Sequence, residues 1–174
     1  MAIGAAGALA HAFRAVTNPG DEIITFAPCF SEYKPYTAGA GLKLTIIPAD
    51  IDTFQINFAA FEAQLNENTT AVLINSPNNP SGIVYSTETI KKLADILTEK
   101  SKEFGHPIYL ISDEPYRELA YDGAVVPYVT KYYRDTAVCY SYSKSLSLPG
   151  ERIGFVLVPD EAYESREVYA AICG

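Results

Sequence analysis

The stretch Tyr140-Ser-Tyr-Ser-Lys144-Ser-Leu-Ser-Leu-Pro-Gly-Glu-Arg152-Ile-Gly154 joins two apolar segments of the chain. The first segment, residues 136–140, and the second, residues 153–158, each have the length and composition of a β-strand. The connection between them is too short to contain a crossover helix. We therefore predict that these two strands are antiparallel neighbours.

Outward from this stretch, the chain alternates strands and helices. The predicted strands are apolar on both faces and cover residues 22–27, 42–48, 71–75, 108–112 and 136–140. Predicted helices lie between them, at residues 5–16 and 31–40, after Asn57, and after Ser86 or Thr87. This pattern indicates an α/β protein, a three-layer α/β/α sandwich with a mostly parallel sheet and an antiparallel last strand.

Size and charge exclude several classes of protein. With 174 residues, 48% of them hydrophobic, the chain has the length of one domain with a sizeable core. The net charge of −8 argues against nucleic acid as a partner, because such binding requires basic surfaces. The sequence shows no apolar run long enough to span a membrane and no secretory leader, so we expect no membrane association.

The cysteine and histidine content favours a cytoplasmic protein without a metal site. Cys29, Cys139 and Cys173 are far apart and odd in number, which predicts reduced, buried thiols. His11 and His106 are isolated from each other and from any Cys-x-x-Cys motif, so no metal centre is predicted.

Polar residues follow the carboxyl ends of three predicted strands. These segments are Ser76-Pro-Asn-Asn79-Pro-Ser-Gly82, Asp113-Glu-Pro-Tyr116, and Ser141 to Lys144. In open parallel sheets, ligands bind beyond the carboxyl ends of the strands. The sequence therefore predicts a binding site where these three loops meet.

The residue types in this site suggest a ligand that carries a carbonyl and a phosphate. A lysine amine forms a Schiff base with a carbonyl once its surroundings lower its pKa, and Lys144 offers that amine. Arg152 with nearby serines matches the oxygens of a phosphate monoester. Taken alone, a stretch of this kind is more often a surface lysine and a surface arginine after a strand.

Six motifs occur in a fixed order over essentially all 174 residues. They are Gly4-Ala-Ala-Gly-Ala-Leu9, Asn18-Pro-Gly-Asp21, Ala27-Pro-Cys-Phe30, Asn78-Asn-Pro-Ser-Gly82, Ser112-Asp-Glu-Pro-Tyr116 and the lysine stretch through Gly154. In these motifs the chain resembles the large, cofactor-binding domain of fold-type I pyridoxal-phosphate aminotransferases, of the class I/II (aspartate aminotransferase-like) family.

That resemblance implies roles around the cofactor ring. Lys144 would hold pyridoxal 5′-phosphate as a Schiff base and then act as the catalytic base. Asp113 would pair with the ring nitrogen, although it could instead cap the turn before Pro115. Asn79 and Tyr116 would donate to the ring hydroxyl oxygen. For Asn79, ordinary Asn-Pro turn chemistry is the alternative.

The resemblance also implies a phosphate site and an aromatic contact. Backbone amides of Gly4, Ala5 and Ala6 would bind the phosphate at a helix start. Ser141 and Arg152 would complete that phosphate site, with Ser143 as a further candidate. Many relatives have hydroxyl side chains in the first loop, where this chain has Gly-Ala-Ala. Phe30 would stack on the ring, or serve as a core phenylalanine.

By the same resemblance, we expect an enzyme that transfers an amino group between an α-amino acid and a 2-oxo acid, acting as a homodimer. Two alternatives remain. The same fold supports C–S lyases, decarboxylases and synthases. The chain could also be a catalytically incompetent cofactor-binding fragment. Full-length members of the family are roughly twice as long, so residues 1–174 are expected to be a large domain truncated at both ends, without the N-terminal segment and the C-terminal small domain.

Overall fold

The computed structural model describes residues 1–174 as a seven-stranded sheet with helices on both faces. The strand order is β1-β7-β6-β5-β4-β2-β3. The strand bounds are Ala2–Ile3 (β1), Glu22–Phe26 (β2), Lys43–Ile47 (β3), Thr69–Asn75 (β4), Tyr109–Asp113 (β5), Thr136–Ser141 (β6) and Ile153–Leu157 (β7). The predicted three-layer α/β/α architecture is confirmed.

The central strands are parallel, and the last strand is antiparallel as predicted. Strands β3, β2, β4, β5 and β6 pair in parallel, and β7 runs antiparallel to β6 with Tyr140 opposite Phe155. The short edge strand β1 is antiparallel to β7. Because β4, β5 and β6 run in one direction, the loops after them all emerge at the same edge of the sheet.

Helices cover the two faces of the sheet. Their bounds are Gly4–Val16 (α1), Tyr33–Gly39 (α2), Phe58–Glu62 (α3), Thr87–Phe104 (α4), Tyr142–Ser145 (α5) and Ser165–Cys173 (α6), with one 3-10 turn at Val129–Lys131. Side chains of α3 and α4 form one core with the sheet, and those of α1, α2 and α6 form the other.

Local sequence signals define the ends of α4. The Ser86 hydroxyl accepts a hydrogen bond from the Thr89 amide, so Ser86 is the N-cap. Gly105 ends the helix at φ +76, a left-handed conformation that glycine adopts without a steric penalty. Between these caps, Ile90, Leu93 and Leu97 form a buried stripe at helical spacing.

The expectation of three buried thiols is wrong in part. Cys139 is fully buried, Cys29 is half-buried, and Cys173 is exposed near the end of α6. Only Cys139 is on a central strand of the sheet; Cys29 is in the loop after β2, and Cys173 is the last residue of α6. Separately, no helix of the protein combines the length and apolar content needed to cross a lipid bilayer.

Candidate active site

A cavity of about 300 Å³ lies at the carboxyl ends of β4, β5 and β6. That volume is at the small end of the range for small-molecule sites. The structure brings together the predicted site residues around it. Those lining it are Ala5, Ala6, Phe30, Asn79, Asp113, Tyr116, Ser141, Ser143, Lys144 and Arg152, and Gly4 lies directly behind Arg152.

Asp113, the last residue of β5, is the buried acid of the cavity. Its Oδ2 accepts a hydrogen bond of 2.6 Å from the Tyr33 hydroxyl, whereas its buried Oδ1 has no partner in the protein. Burial raises the pKa of Asp113 to about 7; the bond from Tyr33 acts in the opposite direction, and the charge of Glu114 adds to the rise. The unpartnered Oδ1 can therefore accept a hydrogen bond from a cationic N–H group.

Asn75, a residue that sequence reasoning missed, links Asp113 to Asn79. The Asn75 side-chain amide donates to the backbone oxygen of Asp113 at 2.8 Å, and its Oδ1 accepts from the Asn79 backbone amide at 2.6 Å. Asn75 is buried at the end of β4. Its place at the end of an otherwise apolar strand was the available signal, because a buried amide needs partners.

Lys144 lies on α5, directly after β6. Ser141 caps this short helix by accepting a hydrogen bond from the Ser143 amide. Lys144 is exposed, and its Nζ lies 5.6 Å from the centroid of the Tyr116 ring. The chain therefore places the amine of Lys144 and the phenol of Tyr116 on the same side of the cavity.

The opposite end of the cavity has the features of an anion site. Helix α1 begins here without a side-chain cap and without an acidic residue in its first turn, so its first backbone N–H groups are available. Arg152 Nη1 lies 3.3 Å from Ser143 Oγ and 3.0 Å from the Pro149 carbonyl oxygen. The Ser141 and Ser143 hydroxyl oxygens are 2.8 Å apart. A guanidinium, two hydroxyls and a helix N-terminus together suit a phosphate.

Phe30 and two tyrosines of α2 form an aromatic wall. Phe30 is half-buried, lines the cavity and packs edge-on against Tyr33, with ring centroids 5.7 Å apart. Tyr36, which was not predicted, also lines the cavity. The spacing of three residues between Tyr33 and Tyr36 was the signal in the sequence, because residues three apart on a helix share a face.

Comparison with known proteins places the chain in a family. Residues 1–171 match the model of the family described as aminotransferase class I and II. An aminotransferase from Eubacterium rectale is 62% identical, with a TM-score of 0.97 over 99% of this chain and 44% of that one. Aspartate aminotransferase from Thermus thermophilus is 27% identical, with a TM-score of 0.86 over 99% of this chain and 42% of that one.

Curated sequences agree with these structures. Aspartate aminotransferase from Thermotoga maritima is 34% identical over 88% of this chain and 40% of its own length. The seven-stranded, mostly parallel sheet with its covering helices matches the large-domain fold of these aminotransferases. The chain belongs to the aminotransferase class I and II family. It spans less than half the length of the relatives that it matches.

The family depends on pyridoxal 5′-phosphate, and the residues present here fit that group. The unpartnered Oδ1 of Asp113 matches a protonated ring nitrogen. Arg152, the two serines and the start of α1 match the phosphate. The amine of Lys144 lies on the same cavity, as a covalent attachment to the carbonyl carbon requires.

Proposed function

We propose that this chain is the cofactor-binding domain of a pyridoxal-phosphate-dependent aminotransferase, which transfers an amino group between an α-amino acid and a 2-oxo acid. One observation carries the proposal. The amine of Lys144, the unpartnered oxygen of Asp113 and the guanidinium of Arg152 all belong to one cavity of about 300 Å³. A carbonyl, a ring nitrogen and a phosphate on one small molecule would engage these three groups together.

Asp113, Asn79 and Tyr116 would bind and orient the ring. Asp113 would accept a hydrogen bond from the protonated ring nitrogen, and its negative charge would keep that proton in place. Asn79 and Tyr116, on the loops after β4 and β5, would donate to the ring hydroxyl oxygen. Asn75 supports this arrangement, because its side chain bonds the backbones of both loops.

Lys144 would hold the cofactor covalently and then move a proton. When bound, pyridoxal phosphate supplies an electron-withdrawing ring that weakens the Cα–H bond of an attached amino acid. The Lys144 amine would act as the base that takes the proton from Cα of the amino acid and later returns it. Its short helix α5 follows directly on the buried strand β6, so the amine is carried by a rigid support.

Arg152 and its neighbours would anchor the phosphate. The guanidinium fork and the hydroxyls of Ser141 and Ser143 supply charge-assisted hydrogen bonds, and the amides of Gly4, Ala5 and Ala6 add backbone donors. An exposed helix-terminus interaction contributes about 0.3–1 kcal/mol. The arginine is therefore the larger contributor to affinity.

A second candidate is a fragment that binds cofactor without turnover. Lys144 and Arg152 are both exposed in this chain, and the relatives are more than twice as long as the part that it matches. We propose that further polypeptide, from a small domain and from the partner of a homodimer, closes the site in the whole enzyme. We place that enzyme in the cytoplasm, in accord with its three free cysteines.

Borohydride trapping tests the proposal directly. The chain is incubated with pyridoxal phosphate, reduced with borohydride, digested and mapped by mass spectrometry. We expect a pyridoxyl adduct on Lys144 and none on that peptide in Lys144→Ala, with Lys91→Ala as the matched control. An adduct confined to other lysines would refute the site.

Turnover assays separate the remaining alternatives. The chain is supplied with an amino acid, with and without a 2-oxo acid acceptor. We expect no appreciable transamination from the 174 residues alone, and transamination once the chain is part of a polypeptide of family length. Ammonia release without an acceptor would instead identify a lyase.

A further inference from the structure

We propose that Tyr33 is a positioning residue: its hydroxyl holds one oxygen of Asp113 so that the other oxygen is presented to the ring nitrogen of the cofactor. The inference deepens the proposed function and rests on it. Tyr33 itself does not line the cavity. It acts through Asp113, which does.

The first observation is that only one of the two carboxylate oxygens of Asp113 has a hydrogen-bond partner. Oδ2 accepts the Tyr33 hydroxyl at 2.6 Å, and Oδ1 is buried without a partner. A free aspartate side chain can exchange its two oxygens by rotating about its last bond. A hydrogen bond to one oxygen removes that freedom and leaves a defined acceptor for an incoming N–H group.

The second observation is the rigidity of Tyr33. The side chain is 1% exposed and belongs to the core between α1, α2 and the sheet. Its backbone oxygen accepts the Thr37 hydroxyl, and its ring meets Phe30 edge-on. The phenol therefore has a fixed position, and it links the aromatic wall to the acid that binds the nitrogen.

The third observation is that the Tyr33 hydroxyl favours the negatively charged form of Asp113, because it donates to one of the carboxylate oxygens. A donor to a carboxylate stabilises the ionised form and opposes the effect of burial. Other titratable or charged groups surround this acid. Glu114 on the following loop, Tyr36 on α2 and Cys139 on β6 lie close enough for their charges to interact with Asp113, and Lys144 and Arg152 line the same cavity.

A comparison of two cofactors tests this role. The dissociation constant of pyridoxal phosphate is compared with that of an analogue in which carbon replaces the ring nitrogen. Only the natural cofactor can use Asp113 Oδ1, so the wild-type chain prefers it. We expect Tyr33→Phe to reduce this preference about tenfold, the size of one hydrogen bond to a charged group. A purely structural defect would weaken both ligands equally and leave the ratio unchanged.

Two matched variants complete the design. In an Asp113→Ala background, Tyr33→Phe should have no further effect on the ratio, because the two residues act as one unit. Tyr133→Phe also removes a buried hydrogen bond of 2.7 Å, to the Ile108 carbonyl oxygen, but away from the cavity. It should lower stability and preserve the ratio.

A measurement without cofactor tests the role of Tyr33 independently of the proposed function. Carboxyl NMR titration of the chain should show that Tyr33→Phe raises the pKa of Asp113, whereas Tyr133→Phe does not. An unchanged titration, or an unchanged cofactor ratio in Tyr33→Phe, overturns the role of Tyr33 alone. If the wild-type chain binds both cofactors equally, or neither, the proposed function fails together with this inference.

Discussion

Gly4 leaves the space in which the guanidinium of Arg152 lies: a Cβ atom at position 4 would be 2.6 Å from Arg152 Nη2. Gly4 also has φ +64, a conformation that costs other residues roughly 1–2 kcal/mol. The glycine at the start of α1 thus leaves room for the arginine side chain, whose end would have to move if position 4 carried a Cβ atom. The first motif, at Gly4, therefore contacts the last motif, which contains Arg152.

Gly4→Ala should therefore displace Arg152 and weaken phosphate binding. We expect cofactor affinity to fall about tenfold or more and the free energy of unfolding to fall by roughly 1–2 kcal/mol. Fluorescence titration and chemical denaturation measure the two effects. Gly39→Ala is the control, because a Cβ there meets nothing within 4 Å. Equal affinity in both variants would contradict the contact.

Arg152→Lys tests whether the guanidinium fork matters beyond its charge. A lysine keeps the positive charge but cannot make two parallel hydrogen bonds to a phosphate. We expect the dissociation constant of the cofactor to rise about tenfold, while Lys144 remains labelled by borohydride at saturating cofactor. Arg14→Lys, on the exposed side of α1, should leave binding unchanged. An unchanged cofactor affinity in Arg152→Lys would show that only the positive charge at position 152 matters.

Asp113 should make the chain without cofactor less stable as the pH rises from about 4 to about 7. Its pKa is raised by burial to about 7, so in this range the folded chain keeps a proton that the unfolded chain has lost. Stability falls by a few kcal/mol across the window, since one pKa unit corresponds to about 1.4 kcal/mol. Denaturation at several pH values measures the slope.

Asp113→Asn is the control for that slope. The amide has similar shape and can still accept from Tyr33, but it does not titrate. The difference in stability between the wild-type chain and this variant should therefore change between pH 4 and 7 and then level off. A difference that stays constant over this range would show that Asp113 titrates normally.

The buried pair of Arg117 and Glu114 should be essential for the stability of the loop after β5. Arg117 Nε lies 2.7 Å from Glu114 Oε2, and its other nitrogens donate to the carbonyl oxygens of Val126 and Pro127. Arg117→Ala leaves a buried carboxylate without its partner, which costs about 3–5 kcal/mol.

Arg134 provides the comparison for that cost. It pairs with Asp135 at 3.4 Å, but its side chain is 68% exposed, against 13% for Arg117. Exposed pairs contribute about 0–1 kcal/mol. Denaturant titration should show a much larger loss of the free energy of unfolding in Arg117→Ala than in Arg134→Ala. Similar values for both would mean that the loop relaxes around the unpaired Glu114.

The sequence by itself determined the layers of the fold, and it predicted that Asp113, Lys144 and Arg152 share one cavity. Strands without polar alternation specify a sheet buried on both faces, and the short link from β6 to β7 allows only an antiparallel pair. The loops after parallel strands emerge at one edge of the sheet. The sequence therefore predicts that Asp113 and Lys144 lie close together.

Only the tertiary structure decided how the two oxygens of Asp113 are used. Tyr33 and Asp113 are separated by 80 positions, and Tyr33 is one of 13 tyrosines in the chain. No periodicity within α2 indicates which hydroxyl meets a distant carboxylate, because that depends on how α2 packs against the sheet. Packing of helix on sheet sets the contact, and packing is a property of the whole core.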